Sequence, residues 1–565
     1  MTETPKRVVS NLEYLKKLFI MPDSPDKFVE FGHELLEIIH DFFQEKGGIH
    51  SSISLPELSK IFDQITIPDS PLLIKDVLSE IKSKVIKHSV KVYNPYYIGH
   101  MTSAIPYFMI LLEMIIAALN QNQVKIETAK ASSFVEKELI TWLHHLIFRR
   151  KDIFYENHTQ DPRVALGSVT SGGTLANLTA LLVAREKAFP PRGGFQGVRT
   201  NGMAEALNHY GYKRGVIIVS SRGHYSIRKA VNLLGIGDAN VISIPVDDHN
   251  HIDINKVRRK VKILQEDEEI KTKIITIVGI AGTTETGNVD NLEALGEIAR
   301  NANTHFHVDA CWGGPALLAD DYRHLFKGIE LANSVSIDTH KLFFCPMSMG
   351  LILFRNEKDL NLIKHASQYI IRKNSVDIGR FTIEGSRPFA SLKPWASLKI
   401  IGRQGYGLLF REARESTDYM RSILDHCGNF ETLNIPELFI LNYRFIPETV
   451  RDQLAIWKKD ISSSEDKDIK KIAAKKTKKS NNLINGLNIK LHRALRMDDT
   501  TFVSRTTLES TRYRPQNIVV LRAVLINPLT NREILNEIVE TQNRIGLSIW
   551  KKFKSAFIKI CNNTT

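Results

Sequence analysis

Short apolar segments rich in β-branched residues recur along the middle of the chain, and they constrain its fold more than any other feature. Segments with helical periodicity, such as LEALGEIARNAN, separate most of them. Strands that alternate with helices predict an α/β fold with a mostly parallel sheet and helices on both faces. Ligands of such sheets bind at the carboxyl ends of the strands. The strand segments begin at residues 216, 274, 306, 334 and 349 and read VIIVS, IITIVGI, FHVDA, SVSID and MGLILF.

The strand segments divide the 565 residues into three regions. Residues 1–100 are predicted to be an N-terminal helical segment, because their apolar residues follow a helical period. Residues 101–385 contain the strands and are predicted to form the large ligand-binding domain. Residues 386–565 mix helical and strand patterns, which predicts a smaller C-terminal α+β domain. With 43% hydrophobic residues, the chain has the composition of a globular protein of two or three domains.

The net charge of +14 is partly local, because nine lysines and four acidic residues lie between Lys458 and Lys479. Two interpretations are open for residues 458–480: a nucleic-acid-binding segment, or a solvated polar insertion. No aromatic residue interleaves with these lysines, so the sequence offers no stacking platform for single-stranded nucleic acid. We therefore interpret the stretch as an insertion and expect no nucleic-acid partner.

The spacing of the cysteines and the length of the apolar stretches indicate whether the chain is expected to bind zinc, to be secreted or to cross a membrane. The four cysteines, Cys311, Cys345, Cys427 and Cys561, are widely spaced, so neither a zinc site nor a disulfide framework is predicted, and a reducing cytoplasm fits. The first ten residues, MTETPKRVVS, lack the apolar segment of a secretory signal. The stretch AIPYFMILLEMIIAALN is short and is interrupted by Glu113, which favours a buried helix over a membrane span.

A Gly-Gly pair precedes a strongly helical run in TSGGTLANLTALLVAR. Gly172 and Gly173 lead into this run, and Thr174 adds a hydroxyl. Two glycines let the backbone approach an anion, and a helix N-terminus offers unpaired N–H groups and a positive dipole end. The pair fits a phosphate site, although a simple turn is an alternative. It does not match the GxxxxGK[ST] loop of ATP- and GTP-binding proteins.

Three further motifs lie at predicted strand ends. His224 in RGHYS would fit over a flat cofactor, or it is an ordinary loop histidine. Thr283 and Thr284 in AGTTETG offer two adjacent hydroxyls. Asp309 in FHVDACWGG either binds a cationic group or only caps the following segment.

Lys341 follows another of these strands, in SIDTHKLFFCP. Lysines between apolar residues commonly extend along their stems to water. The alternative is a nucleophilic amine whose basicity is lowered by desolvation, so that it forms a Schiff base. Pyridoxal phosphate requires the whole set: a phosphate cradle, a ring-stacking group, a carboxylate for the pyridine nitrogen and an amine for the aldehyde. The set therefore predicts a pyridoxal-phosphate enzyme.

From about residue 90 to its end, the chain resembles the group II pyridoxal-phosphate decarboxylases. The resemblance rests on SGGTLANLTALLVAR, GHYS, GTTETG, HVDACWGG and DTHK. It implies the fold-type I, aspartate-aminotransferase-like fold and a homodimer with active sites at the subunit interface. By position, Lys341 resembles the Schiff-base lysine, Asp309 the partner of the pyridine nitrogen and His224 the ring-stacking histidine. The cofactor-holding positions of the family are matched by Gly172, Gly173, Thr174, Thr284, Ser334 and His340.

Within this family, the chain is most similar to bacterial aspartate 1-decarboxylases and to glutamate decarboxylases. The resemblance in VVLRAVLINPLTN implies that Arg522 holds the substrate α-carboxylate, and that in YYIGHMTSAIPYF implies substrate contacts from His100 and Ser103. Tyr369, 28 residues after Lys341, resembles the proton-donating loop tyrosine, although a surface tyrosine is an alternative. The expected reaction converts L-aspartate to β-alanine and CO₂, with glutamate or another L-amino acid as alternative substrates.

Two positions depart from the family pattern. Asp338 and Thr339 stand where many relatives have Asn-Pro, and Cys311 stands where they often have alanine. A carboxylate at position 338 would repel phosphate unless it faces elsewhere. Two rival functions are an aminotransferase or lyase on the same fold, and a basic binding protein on a retired enzyme scaffold. The second is disfavoured because Lys341 and Asp309 are both present.

Overall fold

A seven-stranded, mostly parallel sheet forms the centre of the molecule. The computed structural model describes residues 15–45, 47–51, 53–365 and 375–562. The spatial order of the strands is β1-β7-β6-β5-β4-β2-β3, and among these seven only β7 runs antiparallel to its neighbours. The strands are β1 (Gly167–Thr170), β2 (Arg214–Ser220), β3 (Val241–Ile244), β4 (Thr272–Ile280), β5 (His305–Asp309), β6 (Ser334–Asp338) and β7 (Gly350–Phe354).

The predicted parallel sheet is confirmed, and the burial of its strands explains their sequence pattern. All residues of β5, β6 and β7 are buried, because the sheet is covered on both faces. The four-residue strands β1 and β3 were not predicted, since they are too short to show a pattern. The α-helices of this domain and of the N-terminal segment are Phe28–Gln44, Leu55–Ile61, Ile74–Glu80, Tyr107–Leu119, Ile126–Ala129, Ala131–Phe148, Asp152–His158, Gly173–Ala188, Val198–Tyr210, Tyr225–Leu233, Ile254–Glu266 and Leu292–Asn301.

The apolar helix Tyr107–Leu119 is less buried than its sequence predicts. Only Met109 and Ile116 are buried in it, whereas Leu111 and Ile115 are 43% and 48% exposed. In the part of the chain that the structure describes, no helix is both long enough and apolar enough to cross a membrane.

The C-terminal region forms a second, antiparallel sheet. Its strands are β8 (Phe430–Thr432), β9 (Ile440–Phe445), β10 (Ser504–Glu509) and β11 (Asn517–Val524), in the order β10-β11-β9-β8. The N-terminal segment joins this sheet, because the Ile98 N–H donates to the Phe502 carbonyl at 3.0 Å and the Ile98 carbonyl accepts from the Val524 N–H at 2.6 Å. The α-helices of the region are Leu392–Ile400, Gly402–Cys427, Glu448–Ser463, Lys467–Asp498, Arg532–Trp550 and Lys554–Asn562.

The lysine-rich stretch packs against the C-terminal core, which differs from its interpretation as a solvated insertion. It forms the end of the helix Glu448–Ser463 and the beginning of the helix Lys467–Asp498. Trp457 and Ala473 belong to the core and are 5% and 2% exposed. The Lys476 ammonium lies 5.9 Å from the centre of the Trp457 ring. Lysines can cover apolar surface with their stems, so the net charge of a segment does not reveal that one of its faces is buried.

Replacing Ala473 by aspartate is expected to lower Tm by about 5 °C or more, because the change buries an unpaired carboxylate. The neighbouring Ala474 is exposed, and Ala474→Asp is therefore a matched control that should leave Tm nearly unchanged. Differential scanning calorimetry measures both. Equal Tm values for the two variants would contradict the packing of this helix.

Candidate active site

The candidate motifs meet at one edge of the large sheet. Strands β1, β2, β4, β5 and β6 are parallel to one another, so their carboxyl ends share that edge. It is the edge at which open α/β sheets bind ligands. The residues that follow or end these strands are Gly172 and Gly173 after β1, His224 after β2, Thr284 after β4, Asp309 at the end of β5 and Lys341 after β6.

The Gly-Gly pair brings the N-terminus of the helix after β1 directly onto the sheet. A Cβ atom on Gly173 would lie 2.8 Å from Oδ2 of Asp338, so a side chain does not fit there. The His340 ring borders the same N-terminus, with Cε1 4.0 Å from the position of a Cβ on Gly172. The Thr174 side chain, in the first turn, is exposed. Free N–H groups, a closely packed backbone and a nearby imidazole fit a phosphate group.

The Lys341 ammonium is paired with Asp338, the position that departs from the family pattern. Nζ of Lys341 lies 2.9 Å from Oδ2 of Asp338, and the lysine side chain is 17% exposed. Burial lowers the pKa of Lys341, but Asp338, Cys311 and Asp309 together outweigh this effect, and the pKa is raised above its ordinary value. The expectation of a basicity lowered by desolvation is therefore wrong for the chain alone. Oδ2 of Asp338 thus pairs with the lysine while it also packs against Gly173 at the helix N-terminus.

Asp309 is a buried carboxylate held by several donors. Oδ2 accepts from the Asn177 side-chain amide at 2.9 Å, and Oδ1 accepts from the Cys311 N–H at 3.2 Å. Burial would raise the pKa of Asp309, but nearby His307, the Cys311 side chain and the Lys341 ammonium lower it below its ordinary value. Asp309 is therefore ionised at neutral pH, as a partner of a protonated ring nitrogen must be.

His224 caps the helix Tyr225–Leu233 at the same edge. Its Nδ1 lies 2.8 Å from the Ser226 hydroxyl and accepts from the Ser226 N–H at 3.3 Å. Burial lowers the pKa of His224, although Asp309 acts in the opposite direction. The neutral imidazole has an apolar face and suits stacking on a flat ring.

Arg522, on β11 of the second sheet, brings a buried cation to this edge. Its Nε donates to the Thr284 carbonyl at 2.9 Å, and Nη1 donates to the Gly99 carbonyl at 3.3 Å. Nη2 is buried and has no hydrogen-bond partner among the described residues. Burial lowers the pKa of Arg522 to about 10, so the guanidinium remains charged at neutral pH.

The surroundings of His100 show that several positive groups converge here. Burial lowers the pKa of His100, and the charges of Arg522, Lys341 and His340 lower it further. The Ser103 hydroxyl is buried without a hydrogen-bond partner in the described part of the chain. A positive cluster with an unused guanidinium nitrogen favours a ligand that carries a carboxylate.

Comparison with known proteins decides the family. The sequence model described as "Pyridoxal-dependent decarboxylase conserved domain" matches residues 56–445. The chain belongs to this family. Among the relatives of this pyridoxal-dependent decarboxylase, an aspartate 1-decarboxylase of Aliivibrio fischeri is 38% identical over 544 residues, covering 96% of each chain. An L-2,4-diaminobutyrate decarboxylase of Acinetobacter baumannii is 26% identical over 390 residues, covering 66% of this chain and 72% of that one.

Solved structures have the same fold as this pyridoxal-dependent decarboxylase. One is the glutamate decarboxylase domain of a Vibrio parahaemolyticus diaminobutyrate-pyruvate transaminase and L-2,4-diaminobutyrate decarboxylase, with a TM-score of 0.74, 20% identity and coverage of 95% of this chain and 99% of that one. Another is Oryza sativa TDC with PLP and tryptamine, with a TM-score of 0.76, 16% identity and coverage of 94% and 100%. The predicted fold-type I architecture is confirmed. The protein is a pyridoxal-phosphate enzyme that decarboxylates an amino acid, so the retired-scaffold alternative is discarded.

Two other predicted site residues of the decarboxylase lie apart from the edge or outside the described residues. Ser334 begins β6, at the opposite end from Asp338, and its hydroxyl lies 2.9 Å from Nδ1 of His307. Tyr369 lies outside the described residues, and its role as proton donor stays a prediction.

Four buried polar residues around Asp309 were not predicted from the sequence. Asn177 follows Gly173 by one helical turn, and His307 precedes Asp309 by two residues on the same face of β5. These spacings were the available signals. Ser226 and Ser336 gave none, because serine is common in loops and strands alike. The four side chains are joined by hydrogen bonds.

Proposed function

We propose that this decarboxylase acts on an acidic L-amino acid, and that L-aspartate is converted to β-alanine and CO₂. The observation that carries the proposal is the unpartnered Nη2 of Arg522 near the Lys341 ammonium, two cations that both lower the pKa of His100. The likeness to the aspartate 1-decarboxylase of Aliivibrio fischeri supports aspartate. Glutamate is the alternative, since one methylene is worth only about 1–3 kcal/mol in a pocket.

Pyridoxal phosphate supplies an electron sink for the electron pair that remains when CO₂ leaves. In our proposal, the backbone of Gly172 and Gly173, the Thr174 hydroxyl and His340 hold its phosphate at the helix N-terminus. Asp309 keeps a proton on the pyridine nitrogen, because an ionised carboxylate stabilises the cationic ring.

Three more residues complete the cofactor set. Lys341 provides the amine that bonds the cofactor aldehyde, and His224 covers one ring face. Thr284 is proposed at the cofactor edge. Ser334 would act indirectly, because its hydroxyl contacts His307.

In our proposal, the negatively charged carboxylate of the substrate is held by the positively charged Arg522. The Thr284 and Gly99 carbonyls fix the plane of the Arg522 guanidinium, and its unpartnered Nη2 is proposed to hold the α-carboxylate and so to fix the direction of the bond that breaks. His100, which lies near Arg522, and the buried Ser103 hydroxyl are proposed to contact the remaining substrate groups.

A substrate panel tests the proposal. Release of CO₂ is measured from L-aspartate, L-glutamate, L-2,4-diaminobutyrate and one neutral L-amino acid, with the keto-acid product assayed in parallel. We expect the highest kcat/KM for aspartate and no keto acid. A preference for diaminobutyrate or for the neutral amino acid would disprove an acidic-substrate enzyme, and keto-acid formation would favour an aminotransferase.

Arg522→Lys is expected to lower kcat/KM for the acidic substrate by about 10- to 100-fold, with KM raised and kcat reduced. Lysine keeps the charge but cannot donate to the Thr284 and Gly99 carbonyls and to the carboxylate in one fixed plane, so the alignment is lost. Arg505, exposed on the adjacent strand β10, provides the control Arg505→Lys. Steady-state kinetics compare the two variants. Equal kcat/KM values for both would remove Arg522 from the substrate site.

We further propose that the decarboxylase is a homodimer with active sites at the subunit interface. Four exposed apolar side chains on one helix support it, because monomeric proteins rarely expose such patches. Sedimentation equilibrium should give twice the 64.1 kDa chain mass, and a monomer at micromolar concentration would contradict the proposal. The side chains are Leu111, Met114, Ile115 and Leu119, which are 43–48% exposed.

A further inference from the structure

A single buried amide connects the two cofactor-facing groups Asp309 and His224. Asn177 is 1% exposed, and its Nδ2 lies 2.9 Å both from Oδ2 of Asp309 and from the Ser226 hydroxyl. Its Oδ1 lies 2.7 Å from the Ser336 hydroxyl and 3.0 Å from Nε2 of His307. An amide has two N–H donors and accepts about two hydrogen bonds. Every hydrogen-bonding position of Asn177 is therefore occupied.

The charge of Asp309 fixes the direction of each hydrogen bond in this network. An ionised carboxylate only accepts, so Asn177 must turn its NH₂ group toward Asp309. Its carbonyl oxygen then faces Ser336 and His307, and both must donate to it. The NH₂ group also donates to the Ser226 oxygen, which leaves the Ser226 hydroxyl proton free for another acceptor.

That acceptor is Nδ1 of His224. The Ser226 hydroxyl at 2.8 Å and the Ser226 backbone N–H at 3.3 Å both point to this nitrogen, which therefore has no proton of its own. A neutral imidazole without a proton on Nδ1 carries it on Nε2. Burial lowers the pKa of His224, which agrees with the neutral form.

The same reasoning determines which ring nitrogen of His307, the second histidine of the network, carries the proton. His307 donates from Nε2 to Asn177, and burial lowers its pKa to about 4, so it is neutral. Its Nδ1 lies 2.9 Å from the Ser334 hydroxyl and 3.2 Å from the Ser334 carbonyl. The ionised Asp309 carboxylate therefore sets the orientation of Asn177, and Asn177 in turn receives the Nε2–H of His307.

We propose that Asn177 is a positioning residue that holds the Asp309 carboxylate in its ionised form and, through Ser226, holds His224 as the tautomer protonated on Nε2. The proposal rests on the proposed function, because it concerns the residues that face the pyridine nitrogen and the ring of pyridoxal phosphate. Nδ1 of His224 is occupied, so Nε2–H is the ring N–H available to a ligand. The carboxylate and the imidazole are linked by one side chain, and a change in its orientation would disturb both.

Nitrogen NMR on protein grown with isotopically labelled histidine tests the tautomer directly, and His224→Gln identifies the signals. In the wild-type chain we expect a protonated Nε2 and an unprotonated, hydrogen-bonded Nδ1. Ser226→Ala should shift the Nδ1 resonance toward that of a free nitrogen. A control is Ser168→Ala, which removes a buried hydroxyl whose one hydrogen bond among the described residues is to the Val169 carbonyl. A proton on Nδ1, or an unchanged resonance in Ser226→Ala, would overturn the proposal.

The pH dependence of cofactor affinity tests the effect on Asp309. Asn177→Ala removes a donor to the carboxylate, so its pKa should rise, and the loss of pyridoxal-phosphate affinity in acid should begin at higher pH. Equilibrium dialysis at neutral pH should give a dissociation constant about tenfold higher or more. Asn177→Ala should also move the Nδ1 resonance of His224. The control Ser168→Ala should change neither the dissociation constant nor this resonance.

The coupling of Asp309 and His224 through Asn177 would be disproved by two results together in Asn177→Ala. These are a pH dependence of cofactor affinity equal to that of the wild type, and an unchanged Nδ1 resonance of His224. If Asn177→Ala does not fold, the wild-type tautomer and Ser226→Ala decide the proposal. Neither measurement uses turnover. A chain that binds the cofactor as described but releases no CO₂ from aspartate would therefore overturn the proposed function and leave this inference standing.

Discussion

Lys341→Ala is expected to abolish turnover and covalent attachment of the cofactor, with kcat reduced by at least about 1,000-fold. The amine lies 2.9 Å from Asp338 at the carboxyl edge of the sheet, and alanine offers no nucleophile there. Borohydride reduction followed by peptide mass spectrometry measures attachment, and CO₂ release measures turnover.

The exposed Lys229, on the neighbouring helix Tyr225–Leu233, provides a matched control. Lys229→Ala should retain both attachment and turnover. Cofactor reduced onto a different lysine in the Lys341 variant would show that the reactive amine has been placed at the wrong position.

Asp309→Asn is expected to keep cofactor binding but to lower kcat by about 100-fold or more. The phosphate cradle and the lysine are untouched, whereas a neutral amide cannot stabilise a proton on the pyridine nitrogen. The absorbance of bound cofactor and the rate of CO₂ release measure the two effects separately.

Asp359 allows a control with another buried carboxylate. It follows β7, which runs antiparallel and ends at the opposite edge of the sheet, and it pairs with Lys187 at 3.0 Å. Asp359→Asn should change kcat only a few-fold. Activity of Asp309→Asn in the same range would argue against the role of Asp309.

The strands and the order of motifs along them were predictable because they are local. Runs such as SVSID and FHVDA are continuous in the sequence, and burial on both faces of the sheet keeps them apolar. The rule that ligands bind at carboxyl ends then placed His224, Asp309 and Lys341 at one edge. No knowledge of side-chain packing was needed for this step.

Side-chain environments were not predictable in the same way. The raised pKa of Lys341 depends on the rotamer of Asp338, and sequence spacing does not specify rotamers. Asn177 reads as one polar residue in a helix, and its four hydrogen bonds involve partners from three other segments. The helix Lys467–Asp498 shows the same limit. Its composition indicates a high charge, but it does not indicate that one face of the helix is buried.

The contacts of Arg522 have a consequence for the order in which this enzyme becomes functional. Its guanidinium bonds the Gly99 carbonyl across 423 positions of the chain and the Thr284 carbonyl across 238. The strands of the cofactor edge, in contrast, all lie between residues 167 and 354. Contacts between distant positions are intrinsically slow to form, and a growing chain cannot make these before β11 has been synthesised. A nascent chain therefore positions Arg522, the proposed contact of the substrate carboxylate, only after the strands of the cofactor edge have been synthesised.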